Sequence, residues 1–252
     1  MMKQTNRIRM SNYRFRRRRY RLITGLLVFV ALGCMLYLFS RYRGYQEGIR
    51  IYDAIRSSIT VEEPENPERE EDIRDILKDN LPGQAWIYCP GTPIDYPVMQ
   101  SGDNLYYLTH FPDGRVNGNG SIFLDCRNTS DFTDDNSILY GHRMMNGTMF
   151  GGIAKYTSTA YYKRNPYFYL YTKDASYRVE LFAGYVLDGG DSLPLRFAEE
   201  GQQAFIQEVK AKSKFQSDIT PTMEDRLLTM ITCDYEWNNA RFALIGRLVP
   251  IV

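Results

Sequence analysis

Nineteen consecutive residues, Leu22 to Ser40, carry no charge, and they follow directly on Arg14 to Arg21, a basic block with Arg16-Arg17-Arg18-Arg19 at its centre. As a helix rising ~1.5 Å per residue such a stretch reaches about 28 Å, close to the roughly 30 Å of a bilayer's hydrocarbon core. In water, a helix that is apolar all round must be buried inside a protein, and an abutting arginine block cannot follow it there. The segment is therefore predicted to span a membrane, with the arginines on the cytoplasmic side and the chain from Arg41 onward outside. No Ala-x-Ala follows the apolar run, which favours a retained anchor over a cleaved signal peptide.

Charge is divided along the chain in the same way. The first 43 residues hold eleven Lys or Arg and no acid, and Glu47 is the first carboxylate. Setting those eleven aside leaves twenty basic residues against thirty acidic ones, a formal charge of about −10. A body of that sign repels a phosphate backbone, so no nucleic-acid partner is expected. Beyond the anchor, Tyr45, Ile49, Tyr52 and Ile55 to Ile59 recur at helical steps, Val61 to Pro67 reads as an acidic, proline-broken linker, and Glu68 to Lys78 resumes a helix with Ile73, Ile76 and Leu77 on one side, open either to docking on the following domain or to service as a stalk.

Past Leu81 the texture changes to short runs of β-formers separated by Gly, Pro, Asn and Asp. Strands are predicted near Ala85–Tyr88, Ile94–Met99, Ser121–Leu124, Ser137–Tyr140, Phe168–Tyr171, Tyr177–Leu187, Leu227–Thr232 and Arg241–Val249. Eight strands in the remaining stretch suit a mainly β fold, a single closed eight-stranded β-barrel with inserted helices. The helical breaks are predicted at Asn104–Leu108, Met149–Tyr156 and Arg196–Lys212. The expected organisation is a basic cytoplasmic tail over 1–21, a transmembrane anchor over 22–40, a helical stalk and linker over 41–80 and the barrel over 81–252.

Candidate chemistry gathers at strand ends. Cys233 closes the apolar run that begins at Leu227, and the next run, from Phe242, restarts after the turn-forming pair Asn238-Asn239, so an antiparallel hairpin would return Arg241 beside Cys233. A thiolate is a nucleophile, and a guanidinium beside it can stabilise the thiolate or an oxyanion. Of two histidines, His142 ends the run Ser137-Ile138-Leu139-Tyr140-Gly141, whereas His110 sits in no matching pattern and reads as structural or surface. Taken singly, a strand-end cysteine is a small buried hydrophobe, and an arginine or histidine at such a place is an ion-paired or turn residue. Their conjunction favours Cys, His and Arg as a catalytic set. No Cys-x-x-Cys, His-x-x-x-His or Asp/Asn calcium loop is present, so neither a metal nor a cofactor is expected, and Asp131 to Asp135 reads as a solvated acidic loop. Cys89 and Cys126 lie on the side of the membrane where either a disulfide or two free thiols can persist.

Thr229-Met230-Ile231-Thr232-Cys233 is similar to the Thr-Leu-x-Thr-Cys signature of the sortases, membrane-anchored transpeptidases of Gram-positive surfaces, with Met230 in the place of Leu. Tyr140-Gly141-His142-Arg143 with Asn146 to Gly151 resembles the family's histidine region in its class B form, and Asn239-Ala240-Arg241-Phe242 its arginine strand. The helix expected before the seventh strand resembles class B as well. The resemblance implies a sortase-type barrel in which Cys233, His142 and Arg241 are catalytic, and Asn104, Leu108, Thr232 and Asp234 border the peptide groove. It implies surface proteins with a C-terminal sorting signal of Asn-Pro-x-Thr or Ser-Pro-x-Thr type as substrates, cleaved after Thr through a thioacyl-enzyme, and a peptidoglycan precursor or cross-bridge amine as acceptor. A pilin-polymerising sortase, or a non-catalytic surface-binding module, are the alternatives. Papain-like proteases and L,D-transpeptidases set their cysteine in other contexts and fit less well.

Overall fold

Short runs of aromatic and aliphatic residues between turn formers give eight strands: β1 Ala85–Tyr88, β2 Asp95–Met99, β3 Ile122–Leu124, β4 Asn136–Tyr140, β5 Tyr167–Thr172, β6 Ser176–Asp188, β7 Leu227–Cys233 and β8 Ala240–Pro250. The computed structural model describes the backbone of residues 2–59, 66–80, 83–198, 200–233 and 239–251, and side chains over the same ranges apart from 2–18, 67–68, 79–80 and 233. The strands close into a barrel in the order β1-β2-β3-β4-β7-β8-β6-β5, with β5 pairing back onto β1. Ile87, Val98, Ile122, Leu139, Leu170, Leu181, Met230 and Leu244 are fully buried, so the barrel is packed by its own side chains. Two pairings, β2 with β3 and β4 with β7, are parallel; the others are antiparallel.

Each predicted strand lies within a residue of an observed one at either end, because a period of two bounded by turn residues is a local signal. The helices depart more. Asn104–Leu108 is realised as a 3-10 turn over Tyr106–Leu108, and Met149–Tyr156 as a 3-10 helix over Phe150–Thr157. A short helix, α3, Thr159–Arg164, capped by Ser158 accepting from Tyr161 N, follows it. The helix before β7, α4, covers Gly201–Lys212. Residues 196–197 stay outside it because the 131–135 loop captures them: Arg196 Nε donates to Asp134 Oδ1 (3.1 Å) and Phe197 N to Asp135 Oδ2 (2.8 Å). That loop is thus no mere solvated segment, since Asp134 is 3 % exposed and also accepts from Asn128 Nδ2 and Thr129 N. Ile206 and Val209 of α4 pack with Ile138, Tyr185, Leu187 and Ile231, so this helix covers the outer side of β4, β6 and β7.

The chain divides into a unit up to Glu47 and one from Gly48 to Val252. In the first, helix α1, which runs over Met2–Arg56, carries a stretch long and apolar enough to cross a membrane. Leu22, Leu26, Phe29 and Leu36 there are each at least 62 % exposed. In the second, residues read as stalk are packed on the barrel. Tyr52, at the end of α1, is 3 % exposed and its hydroxyl donates to Gly120 O (2.9 Å). Helix α2, Pro67–Asp75, continues into a π turn, Ile76–Asn80, and buries Ile73, Ile76 and Leu77 against Trp86, Tyr169 and Tyr171. Arg69 is fastened there too, 4.2 Å from the Tyr88 ring centroid and paired with Asp95, which also takes Trp86 Nε1 at 2.6 Å. Thr60 to Glu65, most of the expected linker, lies outside the described residues.

Candidate active site

The parallel ladder between β4 and β7 pairs Asn136 with Leu227 and ends with Tyr140 opposite Ile231. His142 and Cys233 are each two residues beyond that last pair, so they leave neighbouring strands at the same end. Two hydrogen bonds carry the contact past the ladder: Gly141 N donates to Ile231 O (3.1 Å), and Thr232 Oγ1 to Gly141 O (2.8 Å). On the other side of β7, Cys233 stands directly opposite Arg241 in the antiparallel pairing with β8. Cys233 is described by its backbone, and Asp234 lies outside the described residues.

Local chemistry explains the course of the histidine strand. A methyl group at Gly141 would come within 2.7 Å of the Phe150 ring, so the strand can leave the barrel here only with glycine at that position. Phe150 N then donates to His142 O (3.1 Å), folding the following loop back on the strand end. The His142 ring is half-buried, and its Nε2 is 2.7 Å from Leu108 O. A carbonyl only accepts, so Nε2 carries the proton and Nδ1 is the acceptor of the neutral ring. Leu108 O is presented by the 3-10 turn, which starts where Asp103 Oδ1 accepts from Leu105 N and Tyr106 N at 2.8 Å each. Arg241 is half-buried, with Nη1 donating to Ala240 O (3.1 Å). The loop after His142 borders a cavity of ≈ 400 Å³ whose lining includes Arg143, Met144, Asn146 and Lys155.

Of the four residues expected along a groove, Asn104 and Leu108 are half-buried on the segment that faces His142. Thr232 is 2 % exposed, and its hydroxyl is committed to Gly141. Its partner in the motif, Thr229, behaves alike at the other end of β7, donating to Asn136 Oδ1 (2.8 Å). Both motif threonines therefore stitch β7 to β4. His110 stacks on Tyr106 with ring centroids 3.9 Å apart and Nδ1 2.7 Å from Tyr106 O, away from this arrangement. Cys89 and Cys126 are both free thiols; Cys89 lies 3.7 Å from Tyr156 OH, and its burial pushes the thiol up to about 11.

A further residue escaped the sequence. Asp125, fully buried just after β3, accepts from Arg127 Nε (2.9 Å) and Nη2 (2.8 Å) and from Tyr140 OH (3.1 Å). Burial alone would raise this carboxyl, but Arg127 and the Asn104 side chain outweigh it and hold it at about 2. The one local signal was a charged residue directly after the apolar triplet Ile122-Phe123-Leu124.

An eight-stranded barrel with a cysteine and a histidine leaving adjacent parallel strands defines a class, and the Sortase domain matches residues 87–249. The chain belongs to the sortase family, the cysteine transpeptidases. Sortase B of Listeria monocytogenes is 32 % identical over 239 residues, covering 88 % of this chain and 95 % of the relative, and Sortase B of Staphylococcus aureus is 30 % identical over 185 residues, covering 72 % and 75 %. A solved Staphylococcus aureus sortase B–substrate complex superposes with a TM-score of 0.73 at 25 % identity, covering 82 % of this chain and 98 % of that one. Within the family, these likenesses put the chain in class B.

Proposed function

We propose that Cys233 is the nucleophile, His142 the acid and base, and Arg241 a donor to the oxyanion in a sortase that cuts Asn-Pro-x-Thr or Ser-Pro-x-Thr signals after Thr. The observation that carries this is the shared strand end of His142 and Cys233, with Arg241 opposite Cys233. With its thiol proton passed to His142 Nδ1, the sulfur of Cys233 attacks the threonine carbonyl carbon, and the oxyanion that forms is held by Arg241 and backbone N–H groups. His142 gives a proton to the departing amine nitrogen as the peptide C–N bond breaks, leaving a thioester. An incoming cell-wall amine loses its proton to His142, attacks the thioester carbonyl and expels Cys233. Hydrogen bonding of Nε2 to Leu108 O supports Nδ1 as the atom that exchanges protons. Asn104, Leu108 and Asp234 border the peptide; Thr232 acts by tying the two strand ends.

The domain plan completes the picture: residues 1–21 as a cytoplasmic tail, 22–40 as the membrane anchor, and everything after Arg41 outside, where surface proteins and peptidoglycan amines are met. Incubating the full chain in detergent with a labelled sorting peptide and an amine tests the chemistry. Acyl transfer to the amine is expected, and its complete loss in Cys233→Ala with the fold retained. Turnover surviving in that variant would refute the assignment of the nucleophile.

A further inference from the structure

One buried residue of α1, Tyr52, reaches His142 from two directions. The first runs through the carbonyl that holds the imidazole ring. Leu108 O rests on Gly120, where a methyl group would come within 2.7 Å of Leu108 O and 2.5 Å of Tyr107 O, and Ser121 N donates to Tyr107 O (2.9 Å). Gly120 has a φ of 58°, a left-handed conformation that no side chain helps to set, so its peptide groups are oriented by their hydrogen bonds. Its N donates to Asn117 O (3.1 Å), and its O accepts from Tyr52 OH (2.9 Å), which is also 3.3 Å from Ser121 Oγ. For burial a bare phenyl ring would do as well; what the hydroxyl adds is a fixed direction for Gly120 O.

The second direction runs through the loop after His142. The Tyr52 ring meets the Tyr96 ring edge-on with centroids 4.9 Å apart, and both residues are 3 % exposed. Tyr96 OH accepts from Met149 N (3.2 Å). Met149 is a non-glycine residue at a φ of 52°, a conformation that persists only where its surroundings hold it. Its neighbour Phe150 donates to His142 O (3.1 Å), so the loop fastened by Tyr96 also fastens the histidine backbone. Ring and backbone of His142 thus lean on the same pair of tyrosines.

We propose that Tyr52, acting with Tyr96, is a positioning residue for His142, so that the last two turns of α1 belong to the acid–base apparatus. It rests on His142 being the acid and base, as proposed above. Without the Tyr52 hydroxyl the Gly120 peptide is free to turn and Leu108 O to drift from Nε2, and the imidazole aims less well at the departing nitrogen. Neither tyrosine borders the peptide, so the loss falls on kcat while KM is held.

The test measures kcat and KM for acyl transfer from a labelled Asn-Pro-x-Thr peptide to an amine, on the full chain in detergent and well below Tm, for wild type, Tyr52→Phe, Tyr96→Phe and Ile73→Val. Ile73 is equally buried but packs on Trp86, Tyr169 and Tyr171, so its variant loses stability without touching Leu108 or Met149. Both tyrosine variants are expected to lose kcat about tenfold with KM within about twofold, less than the ~10²-fold of a 1 Å misplacement because the packing around the ring limits its drift. Ile73→Val is expected to keep both constants within about twofold. A second readout is 15N NMR of the histidine-labelled chain, in which His110→Gln separates the two histidines; Tyr52→Phe should move the His142 Nε2 resonance. A kcat unchanged in Tyr52→Phe, a loss carried by KM, an equal loss in Ile73→Val, or a lower kcat with an unmoved Nε2 signal would each overturn the proposal while leaving the sortase chemistry intact. Acyl transfer absent from wild type, or surviving in His142→Gln, would instead remove the acid–base reading beneath it. Should Tyr52→Phe not fold, Tyr96→Phe decides by the same kinetic criteria.

Discussion

Thr232→Val exchanges one hydroxyl for a methyl group of similar size. In the wild type that hydroxyl is buried and donates to Gly141 O at 2.8 Å, so the variant leaves a buried carbonyl short of its donor. Such a loss costs about 1–3 kcal/mol, which at roughly 2–4 °C per kcal/mol for a chain of this size lowers Tm by about 2–12 °C. Thr229→Val is the matched control, because Thr229 is equally buried and donates to Asn136 Oδ1 at the same 2.8 Å. The two differ in what lies next door. Gly141 precedes His142, whereas Asn136 begins β4 at the far end of the ladder. Both variants should lose stability alike, but Thr232→Val alone should lose kcat/KM, by about 10²-fold if His142 shifts by ~1 Å. Thr232→Ser, which keeps the hydroxyl, should restore most of it. Thermal unfolding followed by circular dichroism and acyl transfer measured well below Tm supply the two readouts. If Thr232→Val matches Thr229→Val in kcat/KM to within about threefold, the tether does not position His142.

Arg241→Lys should fall about 10²-fold in kcat, since an ammonium cannot reproduce the planar fork at an oxyanion; near-normal rates would demote the residue to a structural one. Asp125, held at about 2 against an ordinary 3.8, favours the folded state above the higher value and loses that contribution as pH falls through the lower. Asp125→Asn should therefore be less stable at neutral pH yet show a shallower decline between about pH 4 and pH 2, which urea titrations across that range would reveal or exclude. A chain starting at residue 41 should fold, whereas one starting at residue 81 loses Tyr52, Ile73 and Leu77 from the core. At ~1.5–3 kcal/mol for each large apolar side chain, the shorter chain should unfold early or aggregate, and equal Tm values for the two would show the packing to be superficial.

Strands were legible because each is announced within its own few residues, and so was the order of the three chemical motifs. The features that stayed hidden depend on contacts between distant segments. For Glu68 to Lys78 the choice between docking and a free stalk stayed open, because the apolar side, Ile73, Ile76 and Leu77, names no partner; only the barrel supplies Trp86, Tyr169 and Tyr171 to cover it. Phe197 has near-helical spacing with Ala204, Phe205 and Val209, yet Asp135 holds it, and Asp134 holds Arg196, from more than sixty residues away in the chain. Thr232 was placed along the groove by its match to the class B pattern, and the parallel neighbour that takes its hydroxyl could not be inferred from a run of five residues. Asp125 is the extreme case, since Tyr140 and Ile138 become its partners only once β3 and β4 are paired.

Parallel pairing of β4 with β7 is the step on which the site depends. Strands rise ~3.3 Å per residue, so an antiparallel arrangement would set Tyr140 beside Leu227, about 20 Å from Cys233 and beyond the reach of any proton transfer. Parallel strands need a long crossover, and the chain supplies it with β5, β6 and α4, all inserted between β4 and β7. The hairpin from β7 to β8 needs the opposite sense, because only an antiparallel return brings a residue just after the turn opposite the last residue before it, as Arg241 is opposite Cys233. One rim of the barrel thereby collects residues from three consecutive strands, β4, β7 and β8, although they are separated by up to 99 positions in sequence. Register is what such a rim cannot lose: a one-residue slip of β7 moves Cys233 by ~3.3 Å and turns its whole side-chain pattern to the other face. The two buried threonines, bonded to Asn136 and Gly141 at opposite ends of the ladder, forbid that slip, because any shift would break both at once.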